Sequence, residues 1–111
     1  LVDGDLISID LGLIYGGYHA DHAFTVPVGK ITDRERALLD ATEQSLYRGI
    51  AAATPGSKVG DVGHAIESFI QPLGFGIVRD YVGHGIGRAM HEPPSVPNYG
   101  KAGKGPPLKA G

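Results

Sequence analysis

Two stretches near the start of the chain are rich in apolar and β-branched residues and flank a short glycine turn. They cover residues 6–14 and 18–28, with Tyr15-Gly16-Gly17 between them. Two such runs around a short loop that contains glycine are typical of a β-hairpin. The sequence therefore predicts an antiparallel pair of strands here.

Helical periodicity follows in the middle of the chain. Thr32 and Glu35 fit the capping-box pattern, in which two side chains satisfy each other's free backbone N–H groups, so we expect a helix over residues 33–53. A second helix is expected with Asp61 as its N-cap, and Gly74 should end it. The face with helical period consists of Leu38, Ala41, Thr42, Ser45, Leu46, Gly49, Ile50 and Ala53 in the first helix, and the apolar stripe of the second consists of Val62, Ala65, Ile66, Phe69, Ile70 and Leu73.

The last third of the chain predicts one strand followed by loops. Residues 76–82 (GIVRDYV) have the composition of a strand, and the pattern then dissolves through residues 83–94. Residues 98–111 are rich in Gly, Pro and Lys, which predicts a flexible, solvated loop. Taken together, the elements predict a single α+β domain over residues 1–111.

Composition and charge narrow the class of protein. The chain has 111 residues, of which 41% are hydrophobic and 20% charged, as is ordinary for a globular domain. Its net charge of −2 gives no reason to expect nucleic acid or an anionic membrane surface. No apolar run approaches the roughly 18–20 residues of a membrane span. Because the start has no secretory pattern and no initiator Met, we expect a cytoplasmic fragment of a longer protein.

Two aspartates lie in the predicted hairpin. If the turn is centred between Tyr15 and Gly16, Asp10 lies directly opposite Asp21, with Cβ atoms about 4.5–5.5 Å apart. Two carboxylates repel each other at that distance unless they share a proton or a cation lies between them. The ordinary alternative is that one aspartate faces solvent or that a bulge separates the two.

Two histidines add to this pattern. His84 stands between two glycines, which leave its ring unobstructed, and His91 follows seven residues later. A lone histidine is more often a satisfied polar residue than a ligand. His84 together with an aspartate pair, however, forms a mixed oxygen–nitrogen set suited to Zn, Mn, Fe or Co. His19 and His22 flank Asp21 and are either partners of its carboxylate or exposed strand residues.

Three stretches of the chain together resemble a type I methionine aminopeptidase, a metallopeptidase of the pita-bread fold. They are residues 7–25 (ISIDLGLIYGGYHADHAFT), 46–67 (LYRGIAAATPGSKVGDVGHAIE) and 78–100 (VRDYVGHGIGRAMHEPPSVPNYG). The resemblance implies part of the pita-bread fold, with a curved antiparallel sheet and two helices on one face. It also implies removal of the N-terminal methionine from nascent proteins in the cytoplasm.

The resemblance further implies a site for two divalent metal ions (Co, Mn, Fe or Zn), held by two Asp, one His and two Glu. Asp10, Asp21 and His84 match three of these metal ligands. His91 matches a catalytic histidine that contacts the substrate and stabilises developing negative charge. Met90 matches a substrate-binding residue that lines the pocket for the methionine side chain. In such a site the metals activate a water and polarise the scissile carbonyl.

The two glutamate ligands have no match in this chain. Glu35, Glu43 and Glu67 lie on predicted helices, and Glu92 belongs to the His-Glu pair of the family motif and does not match a ligand. We therefore expect these 111 residues to be inactive alone and to hold at most one weakly bound ion. An open sheet edge should favour self-association or a protein partner. The lysines of residues 98–111 would suit docking on an anionic assembly such as the ribosome.

Three other interpretations remain open. An Xaa-Pro peptidase of the same fold is one, and the VPNYG stretch argues against it. A peptidase-fold module that binds proteins without catalysis is another, although Asp10, Asp21 and His84 are all retained. The third is a plain α+β domain, or one in which the two aspartates share a proton.

Overall fold

The computed structural model of the chain describes residues 1–110 and opens with the predicted hairpin. Strand β1 spans Leu6–Tyr15 and β2 spans Tyr18–Pro27, and the two pair antiparallel along their length. Gly16 and Gly17 form the turn, with φ angles of 58° and 81°. Positive φ at both positions is the type I′ geometry that suits the twist of paired strands, and glycine adopts it without a Cβ clash.

The register of the hairpin differs from the predicted one. The turn is centred one residue further along the chain than predicted, which shifts every partner by two positions. Asp10 pairs with Ala23, and Asp21 pairs with Gly12. The prediction that the two aspartates lie directly opposite each other is therefore wrong. They are diagonal neighbours on one face, where such positions are about 7–8 Å apart.

Helix α1 spans Asp33–Ala52 and begins at the predicted capping box. Thr32 Oγ1 accepts a hydrogen bond from the N–H of Glu35 (3.2 Å), and the Glu35 carboxylate accepts one from the N–H of Thr32 (2.7 Å). The bond from the N–H of Thr32, together with one that Thr32 Oγ1 donates to the same carboxylate (2.7 Å), favours the ionised form and lowers the pKa of Glu35. The predicted first helix is confirmed.

The buried face of α1 is narrower than predicted. It consists of the small residues Ala41, Ser45 and Gly49, each four positions from the next. Small side chains let the second helix approach closely, since a Cβ on Gly49 would lie 2.8 Å from Ile66 Cδ1. The larger apolar residues of the predicted face are exposed: Leu38, Leu46 and Ile50.

Helix α2 spans Val59–Ile70 and packs against α1. Its N-cap is Lys58, and Asp61 is the third helical residue, so the prediction that Asp61 is the cap is wrong. The Asp61 carboxylate instead reaches back and accepts a hydrogen bond from the N–H of Lys58 (2.7 Å). A 3-10 turn over Gln71–Leu73 follows, and Gly74 ends it with a φ of 75°.

Residues 76–82 do not form the predicted strand. A strand needs a neighbour for its backbone groups, and within residues 1–110 no strand pairs with this segment. The chain forms its next ladder further on, where β3 (Gly83–Gly85) pairs antiparallel with β4 (Glu92–Val96). The sequence pattern predicted loops there and missed both strands.

The tail of the chain lies along α2. The carboxylate of Asp61 accepts a hydrogen bond from the N–H of Gly103 (2.6 Å), and that of Glu67 accepts one from the N–H of Gly100 (3.2 Å). These backbone bonds are the main reason that the pKa values of both carboxyl groups are lowered. The predicted flexible loop is thus anchored to α2, while its lysine side chains are exposed as expected.

The architecture is α+β, as predicted. It consists of a helix pair and two antiparallel ladders, β1–β2 and β3–β4, where a single sheet was expected. The core lies between the helices. The residues of the candidate site lie on or next to the strands of the two ladders. Within residues 1–110, no helix has the length and apolar character needed to cross a membrane.

Candidate metal centre

His84 has the best-defined polar contacts among the predicted site residues. Its Nδ1 lies 2.9 Å from the carbonyl oxygen of Gly85, and because a carbonyl only accepts, Nδ1 carries the hydrogen. Its Nε2 lies 3.5 Å from Oδ2 of Asp21. In the neutral ring, Nε2 thus presents a lone pair to a carboxylate oxygen. A proton or a cation between the two atoms would join them.

The hairpin supplies the carboxylates of the site. Asp21 on β2 is the aspartate in contact with His84. Asp10 lies on β1, one diagonal step away on the same face, and both aspartates are exposed to solvent. The sequence prediction that the two carboxylates share a face agrees with the observed register, although the spacing is wider than predicted.

His91 and Met90 extend this arrangement. The His91 ring lies beside that of His84, with centroids 4.2 Å apart and planes tilted by 48°. Met90 reaches back to the hairpin, since a Cβ on Gly12 would lie 2.6 Å from Met90 Cε. Because Gly12 is the strand partner of Asp21, Met90 packs beside the position of that carboxylate.

A shallow depression lies next to the two histidine rings. Both imidazoles reach it, so a small ligand held there would contact both rings. The lining residues are Val82, Gly83, His84, His91, Glu92, Pro93 and Ser95.

Asp21 and His84 form a candidate half-site, which offers one oxygen and one nitrogen donor 3.5 Å apart. In the described part of the chain, no three His, Asp or Glu side chains lie close enough together to hold a metal ion. Carboxylate oxygen and imidazole nitrogen are nevertheless ligands that Zn, Mn, Fe and Co accept. Metal-binding histidines commonly donate the other ring N–H to a carbonyl, as His84 does to Gly85. The donor set therefore fits part of the coordination shell of such an ion.

Glu92 uses its carboxylate to shape the loop between the two histidines. Its Oε1 accepts a hydrogen bond from the N–H of Ala89 (2.8 Å). A Cβ on Gly87 would lie only 2.9 Å from Oε2, so the carboxylate also covers that glycine. Glu92 thus holds residues 87–89 in place.

The histidines that flank Asp21 differ from each other. His22 stacks near Phe24, with ring centroids 5.7 Å apart, and alternation places it on the opposite face from Asp21. His19 shares the face of Asp21, and its Nδ1 is buried without a hydrogen-bond partner among the described residues. His19 is therefore the one of the two that lies on the side of the candidate site.

Two residues that shape the site were not singled out from the sequence. Gly12 carried a usable signal, because glycine inside a strand often marks a close approach, and here Met90 approaches it. Arg88 carried none. Its guanidinium lies 4.9 Å from the ring centroid of Tyr18, a residue 70 positions away in the chain.

Comparison with known sequences assigns the whole chain to one family. The sequence model of metallopeptidase family M24 matches residues 1–111. The chain is 50% identical over 111 residues to methionine aminopeptidase 1 of Bacillus subtilis, covering 100% of this chain and 45% of that protein. The chain thus spans less than half the length of this curated relative.

Solved structures give the same result. The crystal structure of methionine aminopeptidase from Rickettsia prowazekii superposes with a TM-score of 0.95 at 39% identity, over 98% of this chain and 44% of that one. Prolidase from Pyrococcus furiosus is less similar, with a TM-score of 0.76 at 31% identity over 89% of this chain and 30% of that one. The fold is accordingly part of the pita-bread fold, and the chain belongs to metallopeptidase family M24.

Proposed function

We propose that these residues form part of a methionine aminopeptidase that removes the N-terminal methionine from nascent proteins. The observation that carries the proposal is the pair of acceptors at the site. Nε2 of His84 faces Oδ2 of Asp21 at 3.5 Å, while Nδ1 is engaged by Gly85. Such an oriented pair is suited to a divalent cation.

Asp10, Asp21 and His84 would hold the metal. A bound divalent ion supplies Lewis acidity toward the scissile carbonyl and makes a bound water a better nucleophile. The chain's own contribution is orientation. The Gly85 carbonyl fixes the tautomer of His84, and the hairpin presents the two carboxylates on one face. We propose Co, Mn, Fe or Zn as the ions, two of them in a complete site.

His91 and Met90 would contact the substrate. The imidazole of His91 lines the depression beside His84, where its N–H can donate to the oxygen on which negative charge develops. Met90 is half-buried against Gly12 and offers a polarisable, apolar wall. We assign it to the pocket that receives the substrate's methionine side chain.

We propose that the 111 residues alone are inactive and hold at most one weakly bound ion. Three glutamate carboxylates of the described chain accept backbone hydrogen bonds instead. Glu35 accepts one from Thr32 at the start of α1, Glu67 accepts one from Gly100, and Glu92 accepts one from Ala89. Glu43 lies on the exposed side of α1. None of them is placed to complete the shell around Asp21 and His84.

The proposed partners follow from the same site and from the open surfaces. The substrates are peptides and nascent chains that begin with methionine, in the cytoplasm and near the ribosome. The exposed Lys101, Lys104 and Lys109 would suit such an anionic surface. Self-association through an open edge is also proposed, since β1 and β2 each pair with only one strand among the described residues.

A chimera tests the proposed activity. Residues 1–111 replace the matching segment of methionine aminopeptidase 1 of Bacillus subtilis, to which they are 50% identical. With Mn²⁺, the chimera should release methionine from a Met-Ala-Ser peptide, and His84→Ala should abolish release. The 111-residue chain alone should release none.

Two outcomes would contradict the proposal. Cleavage of an Ala-Pro substrate in preference to Met-Ala-Ser would favour the Xaa-Pro peptidase instead. A folded, Mn²⁺-loaded chimera without activity on either peptide would favour a binding module. Matching the folded fraction by circular dichroism keeps a folding defect apart from a loss of catalysis.

A further inference from the structure

The two members of the half-site lie on separate ladders. Asp21 belongs to the β1–β2 sheet and His84 to the β3–β4 sheet, and among the described residues no ladder joins the two. The 3.5 Å distance between Nε2 and Oδ2 therefore depends on contacts outside both sheets.

The loop between the two histidines makes those contacts. The N–H of His19 on β2 donates a hydrogen bond to the carbonyl of Gly87 (2.7 Å). The next residue, Arg88, places its guanidinium over the ring of Tyr18, with Cζ 4.9 Å from the centroid. Its Nη2 also donates to Tyr18 Oη (3.3 Å). Both contacts meet β2 within three residues of Asp21.

The backbone on either side of Arg88 is itself held. The N–H of Gly87 donates to the carbonyl of Ala89 (3.2 Å), and the N–H of Ala89 donates to the Glu92 carboxylate (2.8 Å). Arg88 therefore projects from a constrained turn. A planar guanidinium stacked on an aromatic face, with a hydrogen bond to the ring hydroxyl, is a directional contact that an ammonium group does not reproduce.

We propose that Arg88 is a positioning residue that clamps the loop of residues 86–90 onto the hairpin at Tyr18. By fixing the loop, it sets the distance between Asp21 and His84 at which a divalent ion is held. The clamp is a property of the metal-free chain, and its consequence for metal affinity rests on the proposed function.

Hydrogen exchange at one amide tests the clamp without metal. The N–H of His19 is bonded to Gly87, so its exchange rate, followed by NMR, reports whether the loop is docked. Arg88→Ala should accelerate this exchange about threefold to tenfold, as expected for loss of one exposed cation–π contact and its hydrogen bond. Arg88→Lys should give an intermediate rate. Tyr18→Phe keeps the ring and should have the smallest effect.

The chain offers a matched control for the arginine substitution. Arg48 places its Cζ 4.1 Å from the ring centroid of Phe69, on the helix pair and away from the half-site. Arg48→Ala removes the same kind of contact and the same charge. It should leave exchange at His19 unchanged, which separates the clamp from a general loss of stability or of positive charge.

A Mn²⁺ titration of the metal-free chain tests the consequence. Arg88→Ala should weaken Mn²⁺ binding about tenfold, the lower end of what loss of an outer positioning contact costs, and Arg48→Ala should not. The absorption spectrum of the Co²⁺-loaded chain should change with Arg88→Ala alone. Such a spectrum reports ligand geometry, which a merely structural role would leave intact.

Either of two results would overturn the proposal. The first is exchange at His19 that is the same in Arg88→Ala and in the unaltered chain. The second is Mn²⁺ affinity that does not change with Arg88→Ala. If the unaltered chain binds no Mn²⁺ at all, Asp21 and His84 do not form a metal half-site in the 111-residue chain, and the chimera then tests the proposed function separately. The exchange rates at His19 then decide separately whether Arg88 is a clamp.

Discussion

The helix pair and the hairpin are held together in different ways. The helices bury a continuous set of apolar side chains, with Ile66 and Ile70 only 9% and 6% exposed. The hairpin has no buried residue, and Leu13 and Phe24 are 58% and 42% exposed. Burial of apolar surface is the main stabilising term in folding. We infer that the helix pair supplies most of the stability, while the hairpin carries the carboxylates of the candidate site.

The same difference appears in how each region meets its neighbours. Backbone N–H groups of the tail donate hydrogen bonds to the carboxylates of Asp61 and Glu67 on α2. The hairpin contacts the loop of residues 86–90 through His19, Tyr18 and Gly12. Stability and site geometry should therefore respond to different substitutions.

The largest expected effect is in the core between the helices. Ile66→Ala should lower the free energy of unfolding by about 2–5 kcal/mol, because it removes buried methyl groups and leaves a cavity. Urea unfolding followed by circular dichroism measures this. Ile50→Ala is the matched control, since Ile50 is 58% exposed and should change little. Equal effects of the two substitutions would contradict the assignment of stability to this interface.

The contact between α2 and the tail should be next in size. A Cβ on Gly63 would overlap the carbonyl oxygens of Tyr99 and Pro97. Gly63→Ala should therefore destabilise the chain by about 1–3 kcal/mol through overpacking, despite the better helix propensity of alanine. Gly76→Ala, where the added methyl meets nothing, should be close to neutral. A stabilising Gly63→Ala would show that the tail is not packed on α2.

A smaller effect on stability is expected when Glu67 is protonated at low pH. Its pKa is lowered chiefly by the hydrogen bond from Gly100, with the ion pair to Arg79 (2.5 Å) adding to it. A lowered folded-state pKa contributes stability above the unfolded carboxyl value of about 4.3, and this is lost as pH falls through the folded value. Glu67→Gln should make stability less dependent on pH below about 4.3. Glu43→Gln, which removes a carboxyl group from the exposed side of α1, is the control for the change in net charge.

The smallest effect on stability is expected at Gly12. Gly12→Ala would displace the flexible end of Met90 and should change the free energy of unfolding by no more than about 0.5 kcal/mol. In the Bacillus subtilis chimera, it should instead raise KM for Met-Ala-Ser about tenfold, because Met90 is pushed into the proposed pocket. Gly76→Ala serves as the control. An unchanged KM would remove Met90 from the methionine pocket.

Short-range patterns predicted the fold best. The capping box joins Thr32 to Glu35, three residues apart, and the structure confirms the helix that it predicted. The hairpin was equally local, yet its register depended on where a single turn is centred, which composition does not fix. Residues 76–82 have strand composition but no partner among the described residues, and composition carries no information about partners.

The candidate site could be predicted as a set of residues but not as a geometry. Residue type and family resemblance singled out Asp10, Asp21, His84, Met90 and His91. Neither showed that Asp21 contacts His84, because that contact joins two separate sheets. The clamp from Arg88 to Tyr18 spans 70 positions and has no periodic signal. Contacts between residues so far apart in the sequence can be identified only from the folded structure.

Calorimetric titration of the metal-free 111-residue chain with Mn²⁺ tests most directly whether Asp21 and His84 form a metal half-site. We expect saturable binding near one ion per chain, lost in His84→Ala and weakened in Asp10→Ala. His64→Ala, an exposed histidine on α2, should bind as the unaltered chain does. Absence of saturable binding, or equal binding by His84→Ala and the unaltered chain, would contradict the half-site.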